Sequence, residues 1–122
     1  EEKKPIAILL DNNQKSIDYF QAGYSSFYLK DYLNAIKYLE RVDNVADSIK
    51  QFSTYHLAGG YLFLGKKQYA LNAFKLAATF DYNTAIKEDA FYNYVKLSFE
   101  LDLPFDNTLE ALETYLSLYD LP

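Results

Sequence analysis

Residues 19–42 read YFQAGYSSFYLKDYLNAIKYLERV, and the spacing of their apolar positions decides the fold. Ile17, Phe20, Tyr24, Phe27 and Tyr28 recur at three- and four-residue steps, the period of one helix face. Ser16 stands where it can cap that helix. Lys30-Asp31 makes a short polar turn, after which Tyr32, Ala35, Ile36, Leu39 and Val42 resume the period. Two helices of about thirteen and eleven residues joined by a tight turn form an αα-hairpin. The rings gather around Gly23 and Ala35, so the stretch is a pocket, a binding face or ordinary packing.

The pattern repeats further along the chain. Asp43-Asn44-Val45-Ala46-Asp47 reads as a loop, and Phe52, Tyr55, Leu57, Ala58, Tyr61 and Leu62 form a helix that ends at Leu64-Gly65-Lys66. Ala70, Leu71, Phe74, Ala77 and Ala78 form its return partner. Ala35 and Ala70 lie 35 residues apart, as do Leu39 and Phe74, Val42 and Ala77, Ala22 and Leu57, and Phe27 and Leu62. A third copy follows a longer loop from Asp81 to Ile86. Its first helix runs from Glu88 to Leu101, Pro104 breaks it, and Asn107 with Glu110 has capping-box spacing before a last apolar stripe. A period in the mid-thirties built from helix pairs is the signature of a solenoid, in which neighbouring hairpins bury one another's apolar faces. The fold class is therefore all-α, with a first copy over 16–49, a second over 50–83 and a third over 84–122. Residues 1–15 fall outside the copies. They form an N-terminal cap or the remnant of a preceding repeat, with Asp11-Asn12-Asn13 as a loop.

These residues resemble the tetratricopeptide repeat (TPR) family. Its large–small pair in the first helix is similar to Ala22-Gly23 and Leu57-Ala58, and its close-approach residue to Ala35, Ala70 and Ala111. Its turn glycine is matched by Gly65 but not by Lys30-Asp31-Tyr32, and the third copy departs at Leu103-Pro104-Phe105. The resemblance implies a right-handed α-α superhelix of three hairpins in which every first helix lines a concave surface. Carried over by position, that surface includes Phe20, Tyr24, Phe27 and Tyr28, then Tyr55, His56, Gly59 and Phe63, then Tyr92, Val95, Lys96 and Phe99. The phrase Ala90-Phe91-Tyr92-Asn93-Tyr94-Val95-Lys96-Leu97 further resembles long, many-repeat members in the Bacteroidetes, which are often exported. That implies a periplasmic or envelope location. The charged cluster with which some members of the family clamp a terminal carboxylate has no match, since Lys96 is the one clear cation on that face.

Composition narrows the partners. The 122 residues are 50% hydrophobic and 18% aromatic, with thirteen Tyr and nine Phe, too apolar for a disordered chain. The net charge is −5 and the lysines are scattered, so no stripe exists to neutralise phosphates, and nucleic acid is not an expected partner. Ile6-Ala7-Ile8-Leu9-Leu10 is too short to span a membrane. No Cys is present, so disulfides and thiolate zinc sites are excluded. The chain does not begin with Met, as expected of an excised piece of a longer protein.

Chemistry finds little support. His56 is the single histidine and has no Cys and no nearby acid in sequence to work with. No serine sits in a nucleophile elbow, no glycine-rich phosphate loop is present, and the acidic pairs at Glu100 with Asp102 and Glu110 with Glu113 read as solvated helix faces. No catalytic group, cofactor site or metal-ligand set is expected. Two functions remain. One is a module that binds a peptide or protein segment in an aromatic groove formed by Phe20, Tyr24, Phe27, Tyr28, Tyr55, His56, Phe63, Tyr92, Lys96 and Phe99. The other is a structural spacer whose ends stack on flanking repeats of the parent chain.

Overall fold

The computed structural model describes the backbone of residues 6–101 and the side chains of residues 12–101, with isolated helical positions at Glu113, Thr114 and Ser117. The described residues form five helices and no strand: α1 (Ile6–Tyr28), α2 (Tyr32–Leu39), α3 (Asp47–Phe63), α4 (Lys67–Ala77) and α5 (Thr84–Glu100). Each helix packs on the next. In addition α1 lies against α3 and α3 against α5, whereas the backbones of α2 and α4 do not approach each other. The first helices of successive pairs therefore lie side by side, and the second helices stand apart. The expected return helix of the third copy, with its Pro104 break and its Asn107 cap, lies outside the described residues.

Two short turns set this geometry. After α1, Asp31 N–H donates to Ser26 O at 2.9 Å and Lys30 N–H to Phe27 O at 3.0 Å. After α3, Lys66 N–H donates to Tyr61 O at 2.9 Å and Gly65 N–H to Leu62 O at 3.0 Å. Both are Schellman closures, which need one residue in the left-handed region. Gly65 takes it at φ +74°, and Lys30 takes it at φ +64° although it has a Cβ. The missing turn glycine of the first copy is replaced by a strained lysine, not by a different turn.

Small residues let the paired helices close. A Cβ on Gly23 would come within 2.5 Å of Leu39 Cγ and 3.3 Å of Ala35 O. Ala35 and its counterpart Ala70 are both fully buried, and so are Ala58, Ala77 and Ala90. Leu39, Phe74 and Leu97 fill the space between these contacts. The core is thus built from alanines at the crossings and one large side chain beside each.

Several local expectations are overturned. Residues 11–13 are helical, and α1 is one continuous helix of 23 residues rather than a cap, a loop and a helix. The helical period of Ile6, Leu9, Leu10 and Ile17 in the sequence outweighs the weak turn preference of Asp11-Asn12-Asn13. Ser16 is consequently mid-helix and caps nothing. Its buried hydroxyl accepts a hydrogen bond from Asp43 N–H at 3.3 Å, tying α1 to the segment after α2. α5 starts at Thr84, not Glu88, because Asn83 caps it by accepting from Ile86 N–H at 3.0 Å.

Gln51 holds that last connection. Its side chain is fully buried at the head of α3. Its amide donates to Phe80 O at 2.8 Å and Asn83 O at 3.2 Å, and its oxygen accepts from Asn83 N–H at 2.8 Å. One buried amide thus satisfies a turn that would otherwise bury unpaired backbone groups.

Candidate aromatic groove

His56 is the hub of the site. It sits on α3, buried, with ring centroids of Phe52 at 4.7 Å, Tyr24 and Phe27 at 5.1 Å, Tyr55 at 5.6 Å and Tyr28 at 6.0 Å. Phe52 lies four residues earlier on the same helix and stacks on the imidazole. The rings of α1 meet it because α1 and α3 are adjacent first helices. His56 Nδ1 lies 2.8 Å from Phe52 O, a carbonyl that can only accept, so Nδ1 carries the proton and Nε2 is left as an acceptor. Burial pushes the imidazole pKa below its ordinary value, partly opposed by that hydrogen bond, and the ring is neutral at pH 7. The histidine therefore packs as an aromatic wall, not as a charged group.

Two cavities flank this hub. One, of about 320 Å³, is lined by Phe27, Tyr28, Tyr55, His56, Gly59 and Phe63 together with Leu62, Phe74, Asp89 and Asn93. The other, of about 400 Å³, is lined by Phe20, Tyr24, Ser48, Ile49, Phe52, Tyr82 and Asn83. Tyr28 and Phe63 are well exposed at 62% and 65%, so the cluster is open to solvent instead of being sealed as core. Gly59 contributes room, but Phe27 uses part of it: a Cβ at Gly59 would lie 3.0 Å from the Phe27 ring. Phe63 in turn stacks on Tyr32 at 4.6 Å, which covers one of its faces.

The polar rim of the first cavity comes from α5. The Tyr55 hydroxyl donates to Asp89 Oδ2, and Asn93 Nδ2 donates to the same oxygen at 3.1 Å. Desolvation first, and then the Asp89 hydrogen bond and charge, raise the Tyr55 pKa far above the usual phenol value. Asp89 Oδ1 accepts no hydrogen bond from the described residues. Among the described residues no group of three or more His, Asp or Glu side chains is arranged to hold a metal, and no helix is long and apolar enough to cross a membrane.

Of the ten positions singled out from sequence, Phe27, Tyr28, Tyr55, His56 and Phe63 line the first cavity, and Phe20 and Tyr24 the second. Tyr92, Lys96 and Phe99 line neither and lie exposed on α5. Register explains this. Phe63 ends α3 35 residues after Tyr28 ends α1, and Glu100 ends α5 37 residues after Phe63. At that interval Tyr92, Lys96 and Phe99 correspond to Tyr55, Gly59 and Leu62, which share their cavity with the next first helix, and no described helix follows α5 to form such a cavity with it. The residues of α5 that face back are Asp89 and Asn93, which sequence reasoning missed. Their i, i+4 spacing on a first helix was the available signal. Val95, also carried onto the concave surface, is core at 7% exposure.

The opposite side of α3 differs in character. Between α2 and α4 runs a cavity of about 280 Å³ lined by Leu39, Glu40, Lys50, Thr54, Leu57, Tyr61, Tyr69 and Leu76, among others. There the Tyr61 hydroxyl donates to Glu40 at 3.1 Å, and its pKa is pushed up to about 12 by burial first and then by the Glu40 carboxylate. Comparison of the chain with family models, with curated proteins and with solved structures returns no match.

Proposed function

We propose that the chain is a protein-interaction module of the TPR kind, a right-handed array of helix hairpins that binds a peptide or protein segment along the α1, α3 and α5 side. The observation that carries the reading is the cluster of rings around His56, which opens into two adjoining cavities and leaves Tyr28 and Phe63 largely exposed. Aromatic anchors in concave sites dominate the energetics of many interfaces. The TPR assignment draws support from two Schellman-closed hairpins 35 residues apart, from first helices that lie side by side, and from second helices whose backbones stand apart. No step of this function is catalytic.

The test uses Tyr28→Ala with Phe63→Ala, two exposed positions whose truncation leaves the core untouched. Circular dichroism establishes that the double variant folds. Proteins crosslinked to the wild type in an extract of the source organism are then compared with those crosslinked to the variant. Specific loss of a partner supports groove binding, and an unchanged set removes it. Tyr92 and Phe99, exposed at 49% and 55% on α5, favour a second reading in which the chain stacks on further helices of a longer protein.

A further inference from the structure

We propose that the cavity between α1, α3 and α5 takes a cationic, long-stemmed side chain, lysine or arginine, presented by the bound segment. This rests on the groove reading above and names the chemistry of its occupant.

The walls are rings at steep angles to one another. Phe27 stands at 86° to His56, Tyr55 at 86° to His56, and Phe63 at 66° to Phe27. These rings pack edge to face on one another, and together they line the cavity with aromatic surface, which attracts a cation wherever a ring face is exposed to it. Leu62 and Phe74 add apolar lining suited to an alkyl stem. The one carboxylate among the lining residues is Asp89 at the rim. Tyr55 and Asn93 hold it through Oδ2, which leaves Oδ1 without a partner among the described residues. No lysine or arginine lines the cavity. His56 is buried among rings with Nδ1 committed to Phe52 O, and that burial disfavours the charged imidazolium that would repel an incoming cation. An acidic occupant would meet Asp89 uncompensated. A purely apolar one would leave the exposed Asp89 carboxylate without a charge partner. The chain's net charge of −5 adds a weak field of the same sign.

The test begins with a displayed library of random twelve-residue peptides, selected on the full 122-residue chain without regard to composition. Bound peptides are located by shifts of the Tyr55 and Phe63 ring resonances. Each selected peptide is then remade with its lysine or arginine replaced by norleucine, and also measured against Asp89→Asn. The asparagine variant keeps an oxygen acceptor for Tyr55, and the norleucine arm needs no change to the protein. The expected result is that groove-binding peptides carry a basic residue at a common position, and that norleucine or Asp89→Asn weakens each by about tenfold. Raised salt should weaken the wild-type complex and leave the norleucine complex unaffected. Peptides that shift the ring resonances but bind equally well with norleucine and to Asp89→Asn overturn the cation assignment and leave the groove reading standing. Failure to recover any peptide that shifts those resonances overturns both.

Discussion

The two hairpins α1–α2 and α3–α4 place equivalent backbones 35 residues apart and furnish them with different side chains. Leu39 in one and Phe74 in the other are each 3% exposed, and Ala35 and Ala70 are each fully buried. Asp31 and Lys66 precede α2 and α4 with almost the same dihedrals, φ −91° and ψ 77° against φ −89° and ψ 71°. Yet Asp31 caps its helix by accepting from Asn34 N–H, and Lys66 makes no side-chain cap. Gly23 is answered by Ala58, Lys30 by Gly65 and Tyr24 by Gly59. Burial is shared between the copies. The groove's aromatic pairs, Phe20 with Tyr55 and Tyr28 with Phe63, are shared as well, whereas the ring of Tyr24 in one cavity is answered by the space at Gly59 in the other.

Substitutions at paired positions break or sharpen that correspondence. Phe74→Ala should cost about 3–5 kcal/mol in urea unfolding, somewhat more than Leu39→Ala at the matching site, because the larger ring leaves the larger void. Gly23→Ala should cost about 1–3 kcal/mol, since its Cβ meets buried Leu39. The reverse exchange, Ala58→Gly, should cost only about 0.5–1 kcal/mol, the price of helix propensity. If the two exchanges were equal, the hairpins would cross at the same distance and the steric reading of Gly23 would fail.

The turn pair predicts gains as well as losses. Lys66→Asp should give α4 the cap that α2 has and raise stability by about 0.5–1 kcal/mol, while Asp31→Ala should lose about 1 kcal/mol. Lys30→Gly should stabilise by about 0.5–1 kcal/mol by relieving the left-handed strain, and Gly65→Lys should do the opposite. Thermal midpoints of these four variants suffice to check the signs.

The smallest effect is the pH dependence of His56. Its folded-state pKa lies below the ordinary histidine value, so the unfolded chain takes up a proton more readily. The neutral ring's contribution is complete above the ordinary value and is lost as pH falls through it. Urea midpoints of the wild type and of His56→Gln should therefore converge between pH 7.5 and pH 5. A constant separation would show that the imidazole titrates as it does in the unfolded chain.

Helical spacing made the five described helices legible, because period 3.6 and turn chemistry are local properties. It misjudged α1, where a turn-forming triplet sits inside a longer apolar period, and it took Ser16 for a cap when its hydroxyl instead reaches a segment 27 residues away. Seven of the ten groove positions were brought to the two cavities, since first-helix positions repeat with the hairpin. Tyr92, Lys96 and Phe99 were not, because at the observed interval they match Tyr55, Gly59 and Leu62, and no described helix follows α5 to form a cavity over them.

The sequence by itself determined that the chain is helical, that its hairpins recur, and that aromatic side chains crowd the first helices. Tertiary structure alone decided that five rings converge on His56, that Tyr55 reaches Asp89 and that Gln51 secures the turn before α5. Apart from Phe52 and Tyr55, which share a helix with His56, those contacts join residues 28 to 34 positions apart, and their geometry depends on how closely α1, α3 and α5 approach. That distance is set by the small residues at the helix crossings and the side chains packed against them, so no single helical period contains it.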